Sequence, residues 1–308
     1  MSKILVTGAN GFVGKHLINE LLANDVNVVA IGGSQVPDIE ETEGVEYMTL
    51  DLMSSEEVKK IDFTGITGVL HLAGMAAVGP SFEQPLEYIS VNLGIEINLF
   101  EAALTQKATP RFLIISSGAL YDPSADLPLT EKSPVLLNSP YAVSKLGQEQ
   151  MAKYYATRGF EVIIARPFNH FGPGQNPGFI VPDLAKQIVD IKAGNKSEIK
   201  VGNLDAERDY TDVRDIVRAY RLILDKGHSG ETYNICSGKA LSGHQILDGL
   251  SKAAGNEPTV IQDPDKMRPS DSPVLYGDHQ KLTNDTGWQP EIPFDQTLSD
   301  VITDWQSR

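Results

Sequence analysis

The sequence predicts an α/β fold: a doubly wound parallel sheet with a smaller, interleaved α/β domain in its C-terminal half. Three observations carry this. Short β-branched runs alternate with helical patterns from the start of the chain. These runs are apolar on both faces, as strands covered by helices on each side must be. The chain also opens in the order strand, glycine turn, helix, and a helix start presents unpaired N–H groups and a partial positive charge.

Lys3 to Thr7 (KILVT) reads as the first strand and breaks into GANGFVG, with Gly8, Gly11 and Gly14 three apart, before the helical KHLINELLAN. Glycines there let a diphosphate approach the backbone with no Cβ in the way, so a dinucleotide is the natural occupant. Positive φ alone is the blander reason for such glycines. Val26–Ile31, Val45–Leu50, Val69–Ala73 and Phe112–Ser116 follow as strands two to five. Ligands of a parallel sheet sit at the carboxyl ends of its strands. The second strand ends in Gly32, Gly33, Ser34 and Gln35. Lack of a carboxylate there leans towards NADP, and lack of an arginine keeps NAD open. Asp51 is placed either to accept from an adenine amino group or to cap a helix at MSSEEV. His71 reads as a packed core residue. The small loop AGMAAVGPS, residues 73 to 81, would admit a ribose or a sugar. Asn92 is either buried beside the site or exposed.

Composition narrows the partners. The 308 residues are 41% hydrophobic, enough for one large or two coupled domains with a real core. No apolar run reaches ~20 residues, so neither a membrane span nor a signal peptide is expected, and cytoplasm is the default. Cys236 is the lone cysteine, which excludes an internal disulfide and suits a reducing compartment. Its bland reading is a small buried apolar residue. The formal charge of -15 argues against nucleic acid, because polyanion binding needs Lys and Arg to neutralise phosphates. A small anionic ligand remains compatible if basic residues gather in one cleft.

The chemistry concentrates after the fifth strand. Ser116 and Ser117 end it, and further on SPYAVSKLGQEQMAKYYA is an amphipathic helix opened by Pro140. Tyr141 and Lys145 lie four apart and share a face. A free phenol has a pKa near ~10, and an ammonium one turn away favours the phenolate. Lys145 can also hold a cofactor ribose, while the Ser117 hydroxyl bonds the substrate oxygen that Tyr141 protonates or deprotonates. A Y-x-x-x-K pair alone is common on solvated helices. Its combination with the glycine turn and the serines is far more specific.

At these residues the chain resembles the extended short-chain dehydrogenase/reductase family, also called the NAD-dependent epimerase/dehydratase family, from Lys3 to about Trp305. The resemblance implies a Rossmann domain, a Ser117/Tyr141/Lys145 triad, and a smaller domain for a nucleotide-activated sugar. It assigns 1–169 and 212–238 to the first domain, and 170–211 and 239–308 to the second. Asn10, Phe12, Val13, Leu52, Leu72, Ala73, Gly74, Asn92, Ser116 and Pro167 would then join Gly8, Gly11, Gly14, Gly33, Ser34 and Asp51 around NADP or NAD. A homodimer is implied, joined through the helices around 88–104 and 141–158.

In the substrate half, Arg166-Pro167 ends the sixth strand, with Asn169 and His170 at its carboxyl edge. The family carries an Asn at the position of Asn169 against the substrate diphosphate. Arg208 and Arg268 match positions where relatives use arginine forks on the same group, and Lys186 adds a further cation. Val78, Val181, Val201, Asn203 and Asp271 complete the implied substrate site. His170 reads equally well as loop packing. Two subgroups are disfavoured: 4,6-dehydratases carry an acidic pair where this chain has Gly118 and Ala119, and 3,5-epimerising reductases carry a Cys in place of Gly118. Hydride transfer at one carbon remains. RPFNHFGPGQ, GFIVPDLAKQIVDI and MRPSD most resemble reductases of GDP-6-deoxy-4-keto-mannose, with UDP-hexose 4-epimerase as the alternative.

Overall fold

The computed structural model describes residues 3–34, 42–264 and 274–308. The strands of the first half are β1 (Lys3–Thr7), β2 (Asn27–Gly32), β3 (Val45–Thr49), β4 (Ile66–His71), β5 (Arg111–Ile115) and β6 (Val162–Pro167). They are followed by β7 (Asn169–Phe171), β8 (Glu198–Val201), β9 (Glu207–Asp212), β10 (Thr232–Ile235), β11 (Ala240–Ser242), β12 (Thr259–Gln262) and β13 (Val274–Leu275). One seven-stranded sheet runs β3-β2-β1-β4-β5-β6-β10, and every pairing in it is parallel. The strand order reverses between β1 and β4, and a crevice opens at such a reversal. This is the Rossmann arrangement expected from the alternating pattern.

The helices are α1 (Phe12–Leu22), α2 (Ser55–Val58), α3 (Val78–Ser81), α4 (Pro85–Thr105), α5 (Pro140–Ala156), α6 (Ile180–Lys192), α7 (Val213–Lys226), α8 (Gly243–Ala254), α9 (Gln280–Thr286) and α10 (Phe294–Ser307). Leu17, Leu21, Ile216 and Ile223 of α1 and α7 bury one face of the sheet. Ile95, Leu99, Phe100 and Tyr155 of α4 and α5 bury the other. On that side Phe100 lies between Phe112 and Tyr155, its centroid 4.1 and 4.3 Å from theirs. Fully burying each such side chain stabilises by about 1.5–3 kcal/mol.

A third core gathers Leu184, Ile188, Ile199, Ile246, Leu250, Leu298 and Ile302 from α6, β8, α8 and α10. Strand β9 pairs with β7, β11 and β13. One expectation shifts here. Leu282 and Trp288 pack in the first core with α7 rather than in the third. The indole Nε1 donates to the Asp215 carbonyl (3.0 Å), and the Asp215 carboxylate accepts from the backbone of Glu291 and Ile292. Residues 287–290 (GWQP) thus pack with the large sheet, where the Trp288 ring is wholly buried beside α7. No helix among the described residues is long and apolar enough to cross a membrane.

Candidate active site

The glycine turn lies at the switch point between β1 and β4. Gly8 has φ +70°, and a Cβ on it would come within 2.9 Å of the Ala73 nitrogen. A Cβ on Gly14 would lie 2.2 Å from the Gly8 carbonyl oxygen. The glycines therefore let α1 sit directly on the turn. Gly11 is the N-cap; no side chain caps the helix and no acidic residue stands in its first turn. The N–H groups of Phe12 and Val13 have no intrahelical acceptor by helix geometry, so the turn fits an anionic diphosphate.

Around this turn, Asn10 Nδ2 donates to the Ser34 carbonyl (3.0 Å) and hydroxyl (2.8 Å), and the Tyr47 hydroxyl donates to the same carbonyl (2.5 Å). Gly33 has open space on its Cβ side. Asp51 is exposed and accepts from the Met53 nitrogen (2.9 Å). The cap of the following helix is Ser54, which accepts from Glu57; the capping alternative for Asp51 therefore fails. Leu52 and Pro167 are buried, while Leu72 and Ala73 are partly buried against the two faces of the sheet. Val78 opens α3.

Two expected cofactor residues turn elsewhere. Asn92 is wholly buried: its Oδ1 accepts from Met75 (2.7 Å), and its Nδ2 donates to the Met75 carbonyl and to Ser144 (2.9 Å). It clamps the loop after β4, where Gly74 leaves room for its Oδ1. Ser116 donates to Glu149 (2.6 Å) inside the protein, because that carboxylate is already there for Arg166. Arg166 grips Glu149 through two bonds of 2.8 and 2.7 Å, both groups buried.

Tyr141 and Lys145 project from the buried face of α5, each 7% exposed. Ser117 caps the short turn Gly118–Leu120 and accepts from the Ala119 nitrogen (3.1 Å). Lys145 Nζ donates to the Ile115 carbonyl (2.8 Å) and to Gln148 Oε1 (2.9 Å). The expected electrostatics are inverted. Burial pushes the Tyr141 phenol above its ordinary value, although the neighbouring Ser117 hydroxyl pulls it back. Burial takes Lys145 down to about 8, opposed by Glu96 and Glu149. Desolvation penalises phenolate and ammonium alike, so the lysine loses its proton before the phenol does. His71 is a core residue, as its sequence context suggests. Its Nδ1 meets the Thr7 hydroxyl at 2.8 Å, and burial, with the Lys145 charge adding, holds it at about 3.

Gly118 has a Cβ side filled by a ring. A Cβ there would stand 2.9 Å from Phe168 Cδ2, and one on Gly277 would stand 2.6 Å from Phe168 Cζ. Phe168 is thus held between two glycines, and Tyr121 stacks on it at 6.1 Å. Cys236 is buried in the same cluster, so its bland reading holds.

Among the expected substrate residues, Asn169 is exposed on β7, and its strand pairs with β9 two residues beyond Arg208. Arg208 is half-buried, with a guanidinium nitrogen donating to the Glu207 carbonyl (2.8 Å). Lys186 faces Asp190 at 3.4 Å. Val181 and Val201 are core residues of the third cluster and turn their side chains inward, because their strand and helix are amphipathic. Asn203 accepts from the Asp205 nitrogen (2.9 Å) in a local turn. His170 Nδ1 lies 3.0 Å from the Phe168 carbonyl, and burial lowers its pKa. Arg268 and Asp271 lie outside the described residues. Sequence reasoning missed Glu96, Gln148 and Glu149. Gln148 and Glu149 do stand three and four residues past Lys145, on the same helix face, a signal that was available.

Residues 5–301 match the family model described as GDP-mannose 4,6 dehydratase. The GDP-6-deoxy-D-mannose reductase of Pseudomonas aeruginosa is 34% identical, over 99% of this chain and 98% of that protein. A UDP-glucose 4-epimerase of Caenorhabditis elegans is 29% identical, over 99% and 97%. Among solved structures, RMD from Pseudomonas aeruginosa complexed with NADPH superposes with a TM-score of 0.88 at 33% identity, covering 100% of both chains. The UDP-glucose 4-epimerase from Bifidobacterium longum in complex with NAD+ and UDP gives 0.87 at 26%, covering 99% and 98%. With its parallel sheet, glycine turn and near full-length matches, the chain belongs to the NAD-dependent epimerase/dehydratase family of nucleotide-sugar reductases and epimerases.

Proposed function

We propose that this protein is an NAD(P)-dependent oxidoreductase that reduces the C4 keto group of a GDP-4-keto-6-deoxy-mannose, forming GDP-D-rhamnose. The observation that carries the reading is Phe168 packed on Gly118. A Cβ on residue 118 would stand 2.9 Å from that ring, so a carboxylate or thiol at that position would have to displace Phe168. Dehydration and two-centre epimerisation both need one. What is left is a single phenol, Tyr141, and chemistry at one carbon.

The bound nicotinamide supplies the hydride. The uncapped start of α1 and its glycine turn hold the diphosphate, with Gly33 and Ser34 at the adenosine end. Lys145 binds the ribose, Ser117 aligns the keto oxygen, and Tyr141 gives it a proton. NADPH is the favoured reductant, because the end of β2 carries no carboxylate to repel a 2′-phosphate. Asn169, Arg208 and Lys186 would bind the substrate diphosphate and sugar, and Arg268 and Asp271, outside the described residues, are assigned to the same group by the resemblance. Residues 170–211 and 239–308 form the sugar-nucleotide part, within which Leu282 and Trp288 pack back onto the large sheet. A homodimer forms across α4 and α5, which expose Leu86, Ile89, Val143 and Tyr154.

A second reading, UDP-hexose 4-epimerase, is favoured by the matches to that enzyme and uses the same three residues. One experiment separates them. Mixing the protein with NADPH and GDP-4-keto-6-deoxy-mannose is expected to consume NADPH one for one with sugar. Protein purified with tightly held NAD that interconverts UDP-glucose and UDP-galactose would defeat the reductase reading.

A further inference from the structure

Lys145 and the end of β1 are joined by a line of buried side chains from three elements. Gln148 on α5 is wholly buried, His71 at the end of β4 is 2% exposed, and Thr7 closes β1 immediately before the glycine turn. Gln148 has a polar partner at both ends of its amide. Lys145 Nζ lies 2.9 Å from Oε1, while Nε2 lies 3.1 Å from the Asn92 carbonyl oxygen and 3.4 Å from His71 Nε2. His71 Nδ1 in turn meets the Thr7 hydroxyl at 2.8 Å, and that hydroxyl accepts from the Ala73 nitrogen (3.1 Å).

The directions of these bonds follow from what each group can do. A backbone carbonyl only accepts, so the amide nitrogen of Gln148 must face Asn92 and its oxygen must face Lys145. The same nitrogen faces His71 Nε2, which therefore accepts. The imidazole proton sits on Nδ1 and goes to Thr7, and burial holds the ring neutral. N–H donation thus runs one way, from Lys145 through Gln148 and His71 to Thr7. An ammonium has three N–H donors. The Ile115 carbonyl takes one at 2.8 Å and Gln148 takes a second, which leaves one for a ligand.

We infer that Gln148 is a positioning residue for the cofactor: its amide, locked by Asn92 and His71, holds the Lys145 ammonium with a single donor left for the nicotinamide ribose. This rests on the reading of Lys145 as the ribose-binding residue. Because the line ends at Thr7, the lysine and the glycine turn are set in one frame for adjacent parts of one dinucleotide. The titratable groups set around Lys145 are Glu96 on α4, Glu149 and Tyr141 on its own helix, and the neutral His71 on β4, with Arg166 of β6 held on Glu149. Burial takes Lys145 down to about 8, and an acceptor for its N–H favours the charged form.

NADPH affinity, read by fluorescence titration without substrate, is expected to fall in the wild type as Lys145 loses its proton at about pH 8. Gln148→Met removes the acceptor, so binding at pH 7 should weaken about tenfold and the fall should begin at lower pH. Gln148→Glu keeps an oxygen for Lys145, so its fall should stay at the wild-type pH or move higher. Equal weakening in both variants with the fall unmoved would show packing alone and overturn the inference. Lys145→Met separates it from the reading on which it rests. Undiminished NADPH binding there defeats the ribose role, whereas weakened binding there with Gln148→Met unchanged defeats the role of Gln148 alone. Should Gln148→Met not fold, the wild type still decides. Its 15N spectra are expected to show His71 neutral with the proton on Nδ1; a proton on Nε2 overturns the inference, because the amide oxygen of Gln148 would then face His71 instead of Lys145.

Discussion

Two buried glutamates on neighbouring helices have opposite surroundings. Glu149 on α5 is fully bound, by Ser116 and by both arms of Arg166. Glu96 on α4 has no partner for either oxygen among the described residues. A charge in the interior survives only where hydrogen bonds replace water; Glu149 has its three bonds, whereas burial raises Glu96 well above the ordinary carboxyl value. Glu149 ties α5 to β6 and so sets where Tyr141 and Lys145 stand. Glu96 makes no ion pair among the described residues. The rigid pair serves position, and the unpaired acid makes no such tie.

Several variants would break or sharpen this contrast. The largest effect is expected at the phenol itself. Tyr141→Phe should lower kcat by about 10²–10⁴ while NADPH affinity, read by fluorescence titration, stays within about threefold. A comparable loss of cofactor binding would mean that the phenol builds the site instead of acting in it.

Next comes the bound glutamate. Arg166→Met strands Glu149 with one remaining donor and should cost about 3–5 kcal/mol in urea unfolding, whereas Glu96→Gln should change stability by under about 1 kcal/mol. Equal costs would erase the distinction between the two.

His71 offers a pH-based version. Its folded pKa of about 3 lies below the ordinary value of 6.5, so between those values the unfolded chain binds a proton that the native protein refuses. Stability therefore falls as pH drops from 6.5 towards 3, by up to about 4 kcal/mol from this group. His71→Asn should flatten that arm relative to wild type. The smallest expected change is at Gly118. Gly118→Cys must displace the Phe168 ring and should cost about 1–3 kcal/mol without creating dehydratase activity. A stable variant with unmoved melting temperature would show that Phe168 yields easily.

Much of this was readable before any coordinates. The alternation of strands and helices, the three glycines and the Tyr141/Lys145 spacing each follow from local rules: strand period, helix period and backbone sterics. Those rules gave β1 with its observed bounds, Lys3–Thr7. They set β4 too late, since Ile66–Gly68 carries a polar, glycine-containing start that looks like loop yet pairs beside β1. Ser116 and Ser117 illustrate the limit. The two serines lie just past β5, where Ser117 is still extended as it caps the next turn, and extended backbone sends successive side chains to opposite sides, one to Glu149 and the other to the side of Tyr141.

By itself the sequence determined the order of elements, the glycine turn and which side chains share a helix face, since these depend on neighbours a few residues away. Tertiary structure decided the rest. It buried Glu96 of one helix with no partner for its oxygens among the described residues, placed Phe168 over Gly118, and put residues 287–290 (GWQP) into the core of the large sheet. It also reversed the proton affinities of Tyr141 and Lys145. The physical reason is common to all four: desolvation and close packing act through space, and their magnitude depends on groups far apart in the chain.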